Sequence, residues 1–102
     1  MASNTPRITG PTLKVLGEFL SRPMERISGA EISRSTGIAS GTLYPILFRL
    51  EEAGWLTSDW EKVTPSKIGR PRCRLYRMTA VGVANARASF REYVPKLPEF
   101  AL

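Results

Sequence analysis

Apolar residues near the start of the chain recur every three or four positions, which is the spacing of one helix face. The positions are Leu13, Leu16, Phe19 and Leu20. Pro11 suits a first helical turn, where a missing N–H costs little, and Pro23 stops the run. The pattern predicts a first helix over about residues 11–22, preceded by a polar, flexible arm over residues 1–10.

A short second helix is predicted by its end signals more than by its apolar pattern. Ser28 stands three residues before Glu31, which is the spacing of a capping box at a helix start. Gly37 suits the left-handed conformation that often ends a helix. Together these signals predict a helix over residues 30–36.

The third helix has a continuous apolar stripe, formed by Leu43, Ile46, Leu47, Leu50 and Ala53. Ser40 is a candidate N-cap, and Gly54 ends the pattern. Pro45 lies within reach of the first helical turn, so it does not argue against a helix here. Because residues 36–40 link this helix tightly to the second one, the two are predicted to form a helix-turn-helix.

Two strand-like segments, residues 55–60 and 73–78, follow the third helix. The stretch between them, residues 62–72, contains prolines and a glycine and is predicted to be a flexible loop. Every charged residue between positions 62 and 77 is basic. These residues are Lys62, Lys67, Arg70, Arg72, Arg74 and Arg77. Two strands joined by such a loop form a wing, and phosphates would neutralise its self-repulsion.

The C-terminal part of the chain is predicted to be a helix capped by Thr79 and stopped by Pro95. Its apolar tail is large for the surface of a small monomer and consists of Phe90, Tyr93, Val94, Leu97 and Phe100. We expect these five residues to form a dimer interface within residues 80–102. The alternative is that this helix folds back on the first helix.

The order of elements therefore predicts a fold that is mainly α with a small two-stranded β wing, a winged helix-turn-helix over residues 11–79. A chain of 102 residues with 42% hydrophobic and 24% charged residues suits one globular domain. The net charge of +6 favours a polyanionic partner, and nucleic acid is the first candidate. A membrane surface is disfavoured, because the basic residues gather in a segment with proline and glycine, not on an amphipathic helix.

Enzymatic and metal sites are disfavoured by the residue types present. The chain has no His, so the usual zinc spacings and imidazole-activated nucleophiles are absent, and the single Cys73 cannot form an internal disulfide. The adjacent Glu51 and Glu52 diverge by roughly 100° on a helix, so they do not face one substrate as a pair. We predict no enzymatic activity and no cofactor. The lack of a long apolar run or a secretion-type start predicts a cytoplasmic protein.

Several motifs together resemble those of PadR-like transcriptional regulators. They are Ser40-Gly41-Thr42-Leu43-Tyr44-Pro45, Leu50-Glu51-Glu52-Ala53-Gly54-Trp55-Leu56 and Gly69-Arg70-Pro71-Arg72, followed by Tyr76-Arg77-Met78-Thr79 and Gly82. The resemblance covers about residues 11–90. It implies a dimeric transcription factor, commonly a repressor, with its third helix in the major groove, its wing on neighbouring backbone or minor groove, and a C-terminal helix that pairs with the partner subunit.

The chain departs from the PadR-like pattern in two respects. It resembles the short members of the family, which have a single C-terminal helix, and residues 24–28 replace a glycine-and-tyrosine segment that often precedes the second helix. The departure leaves open whether a small-molecule effector binds at a dimer interface.

Candidate DNA contacts begin at the N-terminal end of the third helix, from which recognition helices commonly reach bases. Ser40, Gly41 and Thr42 lie at that end. We expect Thr42 on a thymine methyl or a phosphate, Tyr44 on a phosphate, and Arg49 on backbone farther along. The structural alternatives are that Ser40 only caps the helix, that Tyr44 only packs, and that Arg49 is an ordinary exposed residue.

The wing supplies a second group of candidates. Pro71 keeps Arg70 extended and Gly69 allows close backbone approach, so Arg70 is expected to enter a narrow, A·T-rich minor groove. Lys67 and Arg72 are then expected on phosphates. The alternative is a solvated turn that happens to be rich in arginine.

The strand after the wing carries Arg74 and Arg77. We expect both on the side of the strand that faces away from Cys73 and from Tyr76, as surface or DNA-contacting residues. Cys73 has basic neighbours that would favour a thiolate, but a buried strand thiol is expected in preference to a redox sensor.

On the second helix, Arg34 and Ser35 are candidates for phosphate contacts, with a merely solvated face as the alternative. The predicted function is sequence-specific binding of double-stranded DNA by a nucleoid-associated homodimer that recognises an inverted repeat and represses transcription. Two alternatives remain open: a nonspecific or architectural DNA-binding protein, and a winged-helix module that binds another protein.

Overall fold

The computed structural model describes residues 6–96 and contains helices, a small sheet and a wing. In chain order the elements are α1 (Gly10–Ser21), β1 (Ile27–Ser28), α2 (Gly29–Thr36), α3 (Ser40–Glu52), β2 (Leu56–Trp60), α4 (Pro65–Ile68), β3 (Arg74–Met78), α5 (Ala80–Tyr93) and a 3-10 turn over Val94–Lys96. The predicted winged helix-turn-helix is confirmed. The sheet and the wing each contain one element that the sequence did not predict.

Helix α1 begins at Gly10, one residue earlier than predicted, because Thr9 caps it. The Thr9 hydroxyl accepts a hydrogen bond from the Thr12 backbone N–H at 3.2 Å. Ile8 packs against the core from the residue before the cap. The predicted arm over residues 1–10 is therefore too long, since residues 8–10 belong to the fold; residues 1–5 lie outside the described part of the chain.

In the helix-turn-helix, α2 has the predicted residues at both ends, whereas α3 differs from the prediction at its N-cap. The Ser28 hydroxyl accepts the Glu31 backbone N–H at 3.1 Å, and Gly37 closes α2 at a left-handed φ of 76°. Ala39 is the N-cap of α3 and makes no side-chain hydrogen bond, so Ser40 is the first helical residue and the prediction that it caps is wrong. The Ser40 hydroxyl is thus free of a capping role.

Pro45 lies in the second turn of α3, deeper than the first-turn position that was expected. Its nitrogen cannot donate to the Gly41 carbonyl. Gly41 is exposed, so solvent can hydrogen-bond that carbonyl. The helix continues because its opposite face is buried in the core through Leu43, Ile46, Leu47 and Leu50.

The sheet has three antiparallel strands in the order β1-β3-β2, where two were expected. Strand β2 pairs with β3 from Leu56 opposite Met78 to Trp60 opposite Arg74. Strand β1 is only two residues long and pairs Ile27 with Tyr76. A strand this short shows no alternation in the sequence, so periodicity could not reveal it.

The loop between β2 and β3 contains a one-turn helix, α4, which the expectation of a flexible loop missed. Thr64 precedes it, Pro65 occupies its first position, and Gly69 ends it with a left-handed φ of 71°. The turn places Lys67 on a defined backbone near the tip of the wing.

Helix α5 packs on α1 and completes the core. Ala86 is fully buried, and Phe90 packs partly against the core with its ring facing Gly17 of α1. The alternative that the last helix folds back on the first is therefore confirmed for Phe90. The core that these helices share with the sheet includes Leu16, Phe19, Ile27, Ile32, Leu43, Leu47, Leu50, Trp55, Leu56, Tyr76 and Met78.

Two negative findings apply to residues 6–96. No helix there has the length and apolar character needed to cross a bilayer. The same residues contain no group of three or more His, Cys, Asp or Glu side chains arranged to hold a metal ion.

Candidate nucleic-acid interface

The outer face of α3 carries the residues of this helix that were predicted to contact DNA, and all of them are exposed. Ser40, Gly41, Thr42, Tyr44 and Arg49 are the five residues concerned. At about 100° per residue, Gly41 lies at the centre of the outer face, while Tyr44 and Thr42 lie on opposite flanks. The helix therefore offers a band of exposed residues, with its buried stripe behind.

Tyr44 is 46% exposed and leans toward the start of α2. Its hydroxyl lies so close to the Cα of Gly29 that a side chain at position 29 would overlap it. Beside it is a cleft of about 460 Å³ between α3 and the sheet, to which Trp60, Arg74 and Tyr76 also contribute. The phenol is thus positioned at the junction of α2, α3 and the wing.

The remaining cations of the predicted interface lie on α2 and the wing. Arg34 and Ser35 are exposed on α2. Lys62 and Lys67 are exposed on the wing, and neither forms an ion pair within the described residues. Lys67 thus has the exposure expected of a phosphate-contacting residue. Lys62 has the same exposure and is a further candidate for a phosphate contact.

Arg70 is held by a carboxylate, which the sequence argument overlooked. Its Nη1 and Nη2 atoms donate to the two carboxylate oxygens of Glu61 at 2.7 and 2.9 Å. Nη1 also lies 3.0 Å from the Pro71 carbonyl oxygen and 3.2 Å from Cys73 Sγ. The segment from position 62 to 77 has no acid, as stated, but the residue just before it supplies one. The structure thus pairs the Arg70 guanidinium within the wing, and its contact with a minor groove stays a prediction.

Glu61 closes the base of the wing. Besides binding Arg70, its Oε1 atom accepts the Cys73 backbone N–H at 3.2 Å, and its own backbone N–H donates to the Cys73 carbonyl at 2.9 Å. The hydrogen bonds from Arg70, followed by that from Cys73, lower the pKa of Glu61 to about 2. The carboxylate is therefore charged at neutral pH and ties together both strands that enter the wing.

Arg72 is also used within the wing. Its Nε donates to the Val63 carbonyl at 2.8 Å, while the side chain stays exposed. A guanidinium bound through Nε keeps its two terminal nitrogens available as donors. Arg72 can therefore stabilise the loop and contact a phosphate at the same time.

The predicted orientation of Arg74 and Arg77 is wrong. Side chains alternate along a strand, so Arg74 shares a face with Tyr76, and Arg77 points to the opposite face. Arg74 stacks over the Trp60 ring at 5.2 Å, and its Nε donates to Ser58 Oγ at 2.9 Å. These contacts make Arg74 mainly a residue that orders the sheet edge beside α3.

The predicted dimer residues are only partly described. Tyr93 and Val94 are half-buried at the end of α5, and Phe90 packs on α1 as stated above. Leu97 and Phe100 lie outside the described residues. The dimer interface therefore stays a prediction for all five residues.

Two residues of the site were given no role in the prediction from sequence. Phe48 is 63% exposed on the outer face of α3. The helical spacing alone indicates it, since it falls opposite the apolar stripe. Glu61 had a weaker signal, namely a single acid at the end of a strand that leads into a basic loop.

We predict that the Glu61 carboxyl titrates with a pKa of about 2, well below its usual 4.5. Because its folded pKa is lower than its unfolded one, the ion pair stabilises the wing above about pH 4.5, and this stabilisation is lost as the pH falls toward 2. NMR titration of the side-chain carboxyl measures the pKa directly. In Arg70→Gln the value should return most of the way to 4.5, while Lys62→Gln should leave it low. A low value that survives Arg70→Gln would contradict the assigned cause.

The arrangement of a helix-turn-helix, a three-stranded sheet and a basic wing defines a winged-helix protein of the DNA-binding regulator class. The family model described as "Transcriptional regulator PadR-like family" matches residues 24–88. The chain belongs to this family of transcriptional regulators. No curated protein sequence matches the chain.

Solved structures support the same fold. A PadR family transcriptional regulator from Eggerthella lenta DSM 2243 is 29% identical with a TM-score of 0.63, and the match covers 80% of this chain and 71% of that one. AbfR of Staphylococcus epidermidis is 24% identical with a TM-score of 0.67, covering 90% of this chain and 57% of that one. MepR of S. aureus, in a DNA complex, is 14% identical with a TM-score of 0.66, covering 82% and 63%.

The last two of these matches have low identities and show a shared fold only. AbfR and MepR are also longer proteins, and the matches cover 57% and 63% of their chains. The DNA that MepR binds and the assemblies of these longer chains are properties of those proteins.

Proposed function

We propose that the protein is a sequence-specific, double-stranded DNA-binding repressor that acts as a homodimer on an inverted repeat. The observation that carries the proposal is the exposed outer face of α3 beside a wing whose lysines have no acidic partner in the described part of the chain. A helix of this diameter fits the major groove, and the neighbouring cations fit the phosphates on either side. The regulator family supports the DNA-binding role and, with it, a non-enzymatic function in the cytoplasm at the nucleoid.

In the bound state, the contacts divide into those that position and those that discriminate. Arg34 and Ser35 on α2, with Lys67 and Arg72 on the wing, contact phosphates and set the register. The N-terminal half of α3 faces the base edges. Arg70 releases the Glu61 carboxylate and donates instead to acceptors on the floor of a minor groove. Solvent access to the ion pair permits this exchange.

A dimer is supported by the outward face of α5. Val81 is 57% exposed, and Ala84 and Ala88 follow it on an exposed face at helical spacing. Small and apolar residues in such a row allow two helices to approach closely. Two-fold symmetry of the dimer makes the DNA site an inverted repeat, with half-sites about one helical turn or a multiple of it apart.

Selection from random duplex DNA with the purified protein at physiological salt tests affinity, specificity and symmetry together. The proposal expects an enriched inverted repeat. Tight binding without a motif would instead favour an architectural DNA-binding protein. No enrichment, together with a monomer in solution, would favour a winged-helix module that binds another protein.

The wing cations are expected to act through phosphates and not through base sequence. Because each subunit of the homodimer contributes one Lys67, Lys67→Ala should make the slope of log Kobs against log salt concentration less negative by about 1.8 and should weaken binding to all duplexes alike. Lys14→Ala, an exposed lysine on α1, is the matched control and should leave the slope unchanged. Fluorescence anisotropy over a series of salt concentrations measures the slope. A loss confined to one DNA sequence would contradict the phosphate role.

A further inference from the structure

Three of the four most outward positions of α3 carry no hydrogen-bonding side chain, and the fourth, Glu52, lies at the C-terminal end of the helix. At about 100° per residue, Gly41, Pro45 and Phe48 fall within about 60° of one another. They lie opposite the fully buried Leu43, Leu47 and Leu50. We call Gly41, Pro45 and Phe48 the outer strip; all three are exposed, and Phe48 is 63% exposed. If α3 enters a groove, this strip is the part nearest the groove floor.

The exposure of Phe48 alone would mean little, since single apolar residues are common on protein surfaces. Its position is what matters. The strip runs between exposed Thr42 on one flank and exposed Tyr44 on the other, so it is continuous with the polar residues of the helix-turn-helix surface. The net charge of +6 and the wing lysines also favour a polyanion as the neighbour of this surface.

The chemistry of the major groove offers one feature that matches an apolar strip. The base edges there carry mostly hydrogen-bond donors and acceptors. The exception is the C5-methyl group of thymine, which packs against apolar side chains such as phenylalanine. A strip from Gly41 to Phe48 is about 10 Å long at 1.5 Å per residue, which spans about three base-pair steps of 3.4 Å. Glu52 continues the same face and is exposed, so its charge keeps the last turn away from phosphates.

We infer that Phe48, supported by Pro45, is a specificity-determining residue that contacts thymine methyl groups within about three successive base pairs of each half-site. The inference rests on the proposed function, because it assumes that α3 occupies the major groove. It goes beyond that function by assigning part of the sequence preference to apolar contact. Burial of one methyl group corresponds to about a fourfold change in affinity.

Deoxyuridine differs from thymidine only by the missing methyl group, so it isolates the contact. In the selected duplex, each thymine of the half-sites is replaced in turn by deoxyuridine, and affinity is measured by fluorescence anisotropy. For the unaltered protein we expect about fourfold weaker binding at one or two thymines per half-site and no change elsewhere. Phe48→Ala should abolish the difference at those thymines, and Phe48→Leu should retain part of it.

Controls separate loss of contact from loss of fold. Met24→Ala removes another exposed apolar side chain, 85% exposed in the α1–β1 turn, and should keep the full thymine effect. Circular dichroism and thermal melting of Phe48→Ala should match the unaltered protein, since the side chain is largely outside the core.

The possible results distinguish the inference from the function on which it rests. Sequence-specific binding that is indifferent to deoxyuridine, a thymine effect that survives in Phe48→Ala, or a selected half-site with no thymine would overturn the inference and leave the proposed function intact. Failure to bind duplex DNA with sequence preference would overturn both.

Discussion

Replacing Gly82 with alanine is expected to destabilise the folded chain by about 1–3 kcal/mol, even though alanine is the better helix former. A Cβ atom at position 82 would overlap the Trp55 backbone carbonyl, and backbone cannot move aside as a flexible side chain can. The same carbonyl accepts the Thr79 backbone N–H at 3.0 Å, so moving α5 away also breaks this bond. A decrease in the melting temperature of about 4–8 °C per kcal/mol is expected.

Gly41→Ala is the matched control for this prediction. Nothing lies within 4 Å of a Cβ placed at Gly41, so the folded chain should be equally or more stable. Both variants should be melted at one protein concentration, because a dimer makes the melting temperature depend on concentration. Equal stability of Gly82→Ala and the unaltered chain would contradict the close packing of α5 on the α3–β2 junction.

Replacing Tyr44 with phenylalanine should weaken DNA binding by about tenfold to a hundredfold while leaving stability within about 0.5 kcal/mol. The hydroxyl makes no hydrogen bond among the described residues, and the side chain is 46% exposed. Its removal therefore takes nothing from the fold. A hydrogen bond from a neutral hydroxyl to a charged phosphate is stronger than one between two neutral groups. Its loss should therefore raise the dissociation constant.

The control is Ser21→Ala, which removes an exposed hydroxyl at the end of α1, outside α2, α3, the wing and the predicted dimer residues. Anisotropy titrations with the selected duplex should give nearly the same affinity for this variant and the unaltered chain. If Tyr44→Phe also retains full affinity, Tyr44 only packs over Gly29, and its assignment as a phosphate contact is wrong.

Most of the fold was predictable because the local signals and the buried pattern agree. The apolar stripe of α3, for example, is buried in the structure at Leu43, Ile46, Leu47 and Leu50. The cap of α2 at Ser28 also formed as the spacing predicted. Periodicity fails where an element is too short to show it, as with β1, whose partner strand lies almost fifty residues away in sequence.

The candidate site was predictable as a set of exposed residues but not as a set of contacts. The positions of Ser40, Thr42 and Tyr44 follow from helix geometry alone. The pairing of Arg70 with Glu61 does not, because eight residues separate them and the turn α4, together with the hydrogen bonds between Glu61 and Cys73, brings them together. Strand alternation places Arg74 and Arg77 on opposite faces of the sheet, so the face of Arg74 was predictable. The error was to expect both side chains on the same face.

In the proposed function, α3 and the wing form the surface that recognises duplex DNA. Amide chemical shifts of the ¹⁵N-labelled protein, recorded with the selected duplex and with a scrambled duplex, test this residue by residue. The selected duplex should change the amide shifts of residues 34–35, 40–49 and 61–73. The scrambled duplex should change mainly those of the phosphate-contacting residues on α2 and the wing, and neither duplex should change those on the outer face of α5. Shifts on α5 or around Met24, with α3 unaffected, would contradict the proposed function.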